Sequence, residues 1–250
     1  MDLGLRDRCA LVTASSKGLG RACAATLVEE GAKVFISSRD AHSIEAAARD
    51  IGAAGWYAAD VSKRDEPAAL VTAAAEKLGG LDILVVNAGG PPPGTFQGLP
   101  LGAWDAAFEL TLMSAVRLVH AALPHLKASD QARVVFITSI AVRQPIGNLA
   151  LSNSLRAAVT GLAKTLSLEL APERITVNCL APDAILTDRI RHLAGGDDEG
   201  VRRMAERAPM RRLGKPAEFA AACAFLCSRQ AAYISGQTLG VDGGSQAGVH

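Results

Sequence analysis

Aromatic side chains are scarce: 4% of 250 residues, with only two Trp and two Tyr. So few rings make a surface that stacks nucleic-acid bases an unpromising reading. Net charge is nearly absent, with 26 Lys and Arg against 25 Asp and Glu. The chain therefore has no global field to draw nucleic acid or an anionic membrane, and neither partner is expected. Long apolar runs are missing too. The stretch 81–88 is broken by Asp82 and Asn87, well short of the roughly 20 residues a bilayer requires, so no membrane span is expected. The opening Met-Asp-Leu-Gly-Leu-Arg has no basic-then-apolar leader, and no secretory signal is expected. The five cysteines are odd in number and scattered through apolar stretches, which suits reduced thiols in a cytoplasmic protein. Cys223 and Cys227 share a helix face, but no His or second Cys pair has matching spacing. They are read as core residues, and no metal site is expected.

What is present is a large apolar fraction, 49%, and a repeating pattern. Short β-branched apolar runs are followed by a polar or Gly turn and then by an Ala-rich helical stretch. The spacing predicts strands at 9–13, 33–38, 56–59, 83–87, 133–139, 175–180 and 238–241. Helices are predicted at 19–30, 41–51, 66–78, 104–126, 153–170 and 216–227. The strands are nearly continuous in apolar residues, the mark of strands buried on both faces. The expected architecture is an α/β single-domain Rossmann fold over 1–250, a doubly wound parallel sheet of about seven strands with helices on both faces. Two long non-strand segments, 89–103 and 181–215, follow strand C-termini, where open α/β sheets bind ligands. They are read as walls of a site, with a substrate lid at about 182–215.

The first strand runs into Thr13-Ala-Ser-Ser-Lys-Gly-Leu-Gly20 and then into a helix. Such a turn aims backbone N–H groups at a pyrophosphate. The alternative is a plain helix cap, with Ser15 or Ser16 capping. The second strand ends at Ser38, followed by Arg39, which lies 19 residues beyond Gly20. An acidic residue there would bind the ribose 2′-OH of NAD, whereas an Arg accommodates the 2′-phosphate of NADP. Lys17 adds a second cation, so NADP is the expected cofactor, with NADPH preferred over NADH. Asp40 is read as the N-cap of the next helix.

With these residues in hand, the chain resembles the short-chain dehydrogenase/reductase family over essentially its full length, and its 3-oxoacyl-carrier-protein reductase-like branch in particular. The stretches that carry the resemblance are Thr13-x-x-x-x-Gly18-x-Gly20, Asp60-Val61, Asn87-Ala88-Gly89, Ser139, Leu213-Gly214-Lys215-Pro216-Ala217-Glu218, and Ile234-Ser235-Gly236-Gln237 followed by Val241-Asp242-Gly243-Gly244. The resemblance implies that Thr13, Ser15, Ser16, Lys17, Gly18, Leu19, Gly20 and Arg39 hold the phosphates. Asp60 and Val61 would flank the adenine, Asn87, Ala88 and Gly89 the ribose, and Pro182 and Thr187 the nicotinamide end. It also implies a homotetramer or at least a homodimer, with helix 153–170 pairing with helix 104–126 and the last strand making a second contact with helix 216–227.

The catalytic positions depart from the family. Its Asn, Ser, Tyr and Lys correspond here to Thr111, Ser139, Ser152 and Arg156, so only the Ser is kept. Two smaller departures are Ala14 for the first Gly of the turn and Asp183 for the Gly after Pro182. The only tyrosines, Tyr57 and Tyr233, are not expected to face the site. Ser is a far weaker acid than Tyr, and Arg does not readily release a proton. Three readings follow. One is an NADP(H)-dependent oxidoreductase acting on the carbonyl or alcohol of a small-molecule or acyl-carrier-linked substrate with a non-standard constellation. The second is an NADP-binding regulatory or partner subunit, and the third is non-redox hydration or isomerisation. His192 in the lid is a candidate acid, with a solvated histidine as its plainer reading. His120 and His125 are read as peripheral. Segment 187–215, with eight Lys or Arg against five Asp or Glu, carries a slight positive excess suited to an anionic substrate or carrier.

Overall fold

In the computed structural model, which describes residues 1–248, seven strands form one sheet in the order β3-β2-β1-β4-β5-β6-β7, every neighbouring pair parallel. The last two residues of the expected 1–250 domain lie outside the described residues. The strands are β1 (Cys9–Val12), β2 (Lys33–Ser38), β3 (Gly55–Ala58), β4 (Ile83–Val86), β5 (Arg133–Ile137), β6 (Thr176–Pro182) and β7 (Thr238–Val241). The order reverses between β1 and β4, and the switch point opens a crevice above their C-terminal ends.

The continuous apolar runs become two interleaved faces. Leu11, Leu84, Val86, Val134, Phe136 and Val177 pack one way, with α3 (Glu66–Leu78), α5 (Ser114–Ala128) and α6 (Ala150–Glu169). Ala10, Val12, Ile83, Val85, Val135 and Ile137 pack the other way, with α1 (Gly18–Glu29), α2 (Ala41–Ile51) and α9 (Pro216–Cys227). Alternation along a strand supplies both cores because helices cover both sides. The expectation of two buried faces does not hold at the sheet edges. Trp56 and Tyr57 of β3 are exposed, as is Leu239 of β7, because an edge strand has a single neighbour.

The remaining departures come from tertiary contacts. The helix expected at 104–126 is a rod from Leu101 to Ala128, made of α4 (Leu101–Phe108), a π-helical turn Glu109–Met113, and α5. At 28 residues this rod is long and apolar enough to cross a membrane by length and composition, contrary to the expectation above. Here it is a core helix, burying Ala107, Ala115, Leu118, Val119, Ala122 and Leu126. Helix α6 starts at Ala150, three residues before the expected 153, where Ala150 N–H donates to Gly94 O at 3.1 Å. Segment 182–215 is not a bare loop. It carries α7 (Asp188–Leu193) and α8 (Asp198–Arg207), and its neck is closed by Leu186 N–H to Gly214 O, 2.8 Å. Cys23 joins Cys223 and Cys227 in the core between α1 and α9. Among the described residues no group of three or more His, Cys, Asp or Glu could hold a metal ion.

Candidate functional site

The turn after β1 is held from both neighbouring strands. Thr13 Oγ1 donates to Asn87 O at 2.6 Å and accepts from Asn87 N–H at 2.9 Å, tying β1 to β4 across the switch point. Ser15 Oγ donates to Val12 O at 2.7 Å and accepts from Ser37 N–H at 3.2 Å. Ser15 is thus spent on the turn and does not cap α1. The N-cap residue is Lys17, whose side chain makes no capping bond. The first-turn N–H groups of α1, which have no acceptor within the helix, therefore carry no side-chain cap and face the crevice of Gly18, Leu19 and Gly20. Gly20 has to be glycine. A Cβ there would lie 2.6 Å from Ala14 O and 2.7 Å from Asn87 Nδ2. Leu19 packs on the α1, α2 and α9 core, and Ser16 is half-buried.

Past β2, Asp40 takes the capping role, accepting from Ser43 N–H at 2.7 Å, and leaves Arg39 exposed beside the crevice. Asp60 accepts from Ser62 N–H at 3.0 Å and Ser62 Oγ at 2.7 Å. Burial opposes its charge, but the Ser62 bonds and the Arg39 and Lys63 cations outweigh it and hold the carboxyl below its usual range. Val61 is buried next to it.

Thr111 lies in the π-helical turn, a local irregularity that recurs at functional sites. Its hydroxyl is buried with no hydrogen-bond partner among the described residues. It opens onto a cavity of about 10 Å³ lined also by Ala88, Thr138 and Arg156, room for about one water molecule. Arg156 projects from α6, its Nη1 donating to Ile137 O at 2.8 Å and Thr138 O at 3.1 Å. Burial, and secondarily the charge of Arg189, lowers its pKa to about 10, so the guanidinium stays protonated at neutral pH. Ser139 ends the β5 connection. Its Oγ accepts from Ala141 N–H at 3.2 Å, which leaves the hydroxyl hydrogen free to donate. Ser152 is buried in the first turn of α6, whose N-terminal half packs on the 3-10 turn Ile140–Val142 that follows Ser139. The four catalytic candidates thus gather where β5, α6 and the π turn meet, with Thr111 and Arg156 sharing one cavity wall.

Segment 182–215 lies over the crevice. Pro182 closes β6 opposite Val241, and Asp183 N–H donates to Val241 O at 3.4 Å. Thr187 caps α7 through Ile190 N–H, and its methyl approaches Gly18 of the phosphate turn. Gly89 is exposed on the loop after β4. His192 and His120 are exposed and His125 half-buried. Tyr57 sits on the β3 edge and Tyr233 is fully exposed beyond α9. Sequence reasoning missed Arg189, which lies against Gly90 and donates from Nη2 to Pro91 O at 3.4 Å. The only sequence signal was the second glycine of the Gly89-Gly90 pair.

Strand order, switch point and glycine turn define a Rossmann-type dinucleotide-binding protein. Residues 13–246 match the family described as enoyl-(acyl carrier protein) reductase. Human dehydrogenase/reductase SDR family member 4 is 36% identical over 246 residues, covering 96% of this chain and 88% of that protein. The L-sorbose reductase of Gluconobacter frateurii, complexed with NADPH and L-sorbose, superposes with a TM-score of 0.93 at 32% identity over 98% of each chain. An NADPH-bound short-chain oxidoreductase from Pseudomonas aeruginosa PAO1 with an atypical catalytic center gives a TM-score of 0.92 at 30% identity, covering 97% of this chain and 98% of that one. The protein belongs to the short-chain dehydrogenase/reductase family of oxidoreductases.

Proposed function

We propose that the protein binds NADP(H) across the switch point and interconverts a carbonyl and an alcohol on a small-molecule or acyl-carrier-linked substrate, as a divergent relative of the 3-oxoacyl-carrier-protein reductases. The observation that carries this reading is the uncapped N-terminus of α1, with Gly20 pressed against Ala14 and Asn87 where a side chain would fill the approach. Lys17 and Arg39 are exposed beside that cradle, and a 2′-phosphate gains charge-assisted hydrogen bonds from such cations. The NADPH complexes of the two structural relatives support the same assignment.

A nicotinamide held there would supply the chemistry of hydride transfer. The chain's own part is to hold the oxygen and manage its charge. Ser139, relieved of its acceptor role by Ala141 N–H, donates to the substrate oxygen. Arg156 lends positive charge to a developing alkoxide but gives up no proton. With Ser152 at the position of the family Tyr, the proton comes from water, for which the small cavity where Thr111 and Arg156 meet otherwise mostly apolar side chains offers a place. Segment 182–215 acts as the lid. The competing reading, an NADP-binding partner subunit without turnover, draws on the remoteness of Tyr57 and Tyr233.

Titration of the protein with the two reduced cofactors tests the assignment. NADPH is expected to bind about ten- to a hundredfold tighter than NADH, the scale of one charged hydrogen bond. Arg39→Asp is expected to reverse the order. Equal affinity in the parent protein defeats the NADP assignment, and NADPH-dependent reduction of any carbonyl defeats the partner-subunit reading.

A further inference from the structure

The motif Val241-Asp242-Gly243-Gly244 takes no part in the phosphate cradle or in the gathering of Thr111, Ser139, Ser152 and Arg156. Strand β7 ends at Val241, and the residues after it turn the chain off the sheet edge. The Asp242 carboxylate accepts from Gly244 N–H and from Gln246 N–H, both at 3.0 Å. Gly243 and Gly244 hold left-handed backbone, φ 61° and 83°, which glycine adopts without the clash a Cβ brings. The turn is therefore specified, and it sends segment 243–248 in a set direction.

That direction leads to two walls of the crevice. On the lid side, a Cβ on Gly243 would lie 3.5 Å from Met210 Cγ, and one on Gly244 3.8 Å from Pro209 Cβ, so the turn packs on the last residues of the lid. On the connection after β5, Arg143 donates from Nη1 to Gln246 Oε1 at 3.0 Å and from Nη2 to Thr238 O at 2.7 Å. Its neighbour Gln144 accepts at Oε1 from Ala247 N–H at 3.2 Å. Strands β5 and β7 are separated by β6, so the segment crosses two strand spacings, about 10 Å. Ser139 and Arg143 are the two ends of one short turn. Ser139 Oγ accepts from Ala141 N–H at its start, and Arg143 N–H donates to Ile140 O at 3.0 Å at its end. A shift of Arg143 therefore reaches Ser139 through a single 3-10 turn. Farther along, the connection is held by Asn153 of α6, which bonds Ile146 N–H at 3.2 Å and Ile146 O at 2.9 Å. Nearer Ser139, the side chains of Arg143 and Gln144 tie it to β7 and the segment that follows.

We propose that segment 243–248 is a brace that fixes the Ser139 connection against the lid, with Arg143 as its positioning residue. Its part in catalysis rests on the oxidoreductase reading above; the brace itself does not. Ser139, the donor to the substrate oxygen, and the lid that covers the crevice belong to separate loops, one after β5 and one after β6. A reacting group misplaced by about 1 Å loses about a hundredfold in rate, so two such loops need a common reference. The turn on β7 supplies it. The bond to Thr238 O alone would hold Arg143 to the sheet edge. The bonds to Gln246 and Ala247 extend that hold to a segment that also touches Pro209 and Met210.

The test is amide hydrogen exchange on the full chain without cofactor, which needs no substrate. In Arg143→Met and in Gln246→Ala, the amides of Arg143 and Gln144 are expected to exchange about fivefold faster or more, and so are those of Arg211 and Gly214 in the lid, with β1 and α1 unchanged. Arg143→Lys, which keeps a donor, is expected to restore most of the protection. Lid exchange that does not respond to Arg143→Met overturns the brace and leaves a local contact at the sheet edge. Turnover of ethyl acetoacetate with NADPH reads the positioning role. In both variants kcat is expected to fall about tenfold with NADPH affinity and Tm unchanged, and to recover in Arg143→Lys. Faster exchange with an unaltered kcat overturns that role. If NADPH does not bind, the oxidoreductase reading fails, while the exchange result still decides the brace.

Discussion

Ala14 holds a left-handed backbone, φ 47°, at the position where the resemblance leads one to expect glycine. The conformation is enforced by its surroundings, since its carbonyl accepts from Asn87 Nδ2 at 3.0 Å. A non-glycine residue in that region costs about 1–3 kcal/mol, while glycine gives back about 0.4–1 kcal/mol through the freer unfolded chain. Ala14→Gly is therefore expected to stabilise the protein by about 1 kcal/mol, read as a rise of about 2–4 °C in a thermal melt. An unchanged or lower Tm would mean that the alanine methyl is held by packing that outweighs the strain. Ser139 is the other residue whose role a single atom tests. Ser139→Ala is expected to reduce turnover about a hundredfold or more, because one oriented donor contributes about 2–4 kcal/mol in a transition state, with NADPH affinity near that of the parent. If a demonstrated carbonyl reduction survives that change intact, Ser139 is a structural cap for the turn Ile140–Val142. At this scale the sequence was legible where a role depends on near neighbours. Asp40 as an N-cap needs only Ser43 three residues on. Arg189 was not legible, because its place depends on Gly90 and Pro91, 98 and more residues earlier in the chain.

Among the elements, the interior of each strand and helix followed from pattern, and the ends followed from partners. The bounds of β2, β7, α2, α3 and α9 agree with periodicity and caps. Thr13, Asn87 and Ser139 read as strand residues by composition but stand beyond the last paired positions of β1, β4 and β5. This is why they reach the crevice: a residue just past a parallel strand keeps its direction and loses its neighbour. β6 instead ends two residues later than predicted, because Ala181 and Pro182 find Gly240 and Val241 on β7. The π turn Glu109–Met113 leaves no mark in apolar spacing, since half-buried Leu110 and Leu112 keep the stripe going through it. A widened turn re-aims one side chain without altering the hydrophobic pattern. Here that side chain is Thr111, which is how the rod contributes to the cavity it borders.

For the whole molecule, one chain leaves apolar surface that the sheet does not cover. Helix α6 exposes Leu168, 67% accessible, and the neighbouring rod exposes Phe108. Phe225 of α9 and Leu239 of β7 are exposed at the other margin, where β7 has no strand on its outer side. An open strand edge and exposed large side chains favour association. Burying one exposed Leu or Phe contributes about 1.5–3 kcal/mol. We propose that the two surfaces serve two different self-contacts, and closed twofold contacts through two distinct patches generate a tetramer. Sedimentation at micromolar concentration is expected to give four times the 25.9 kDa chain mass. The double change Phe108→Glu with Leu168→Glu places four charges across the helical contact of each pair, and is expected to leave dimers joined through β7 and α9. Leu239→Glu is expected to leave the complementary dimers joined through α6 and the rod. A 25.9 kDa species from the parent protein would refute both contacts. A parent tetramer indifferent to all three substitutions would place the interfaces elsewhere on the molecule.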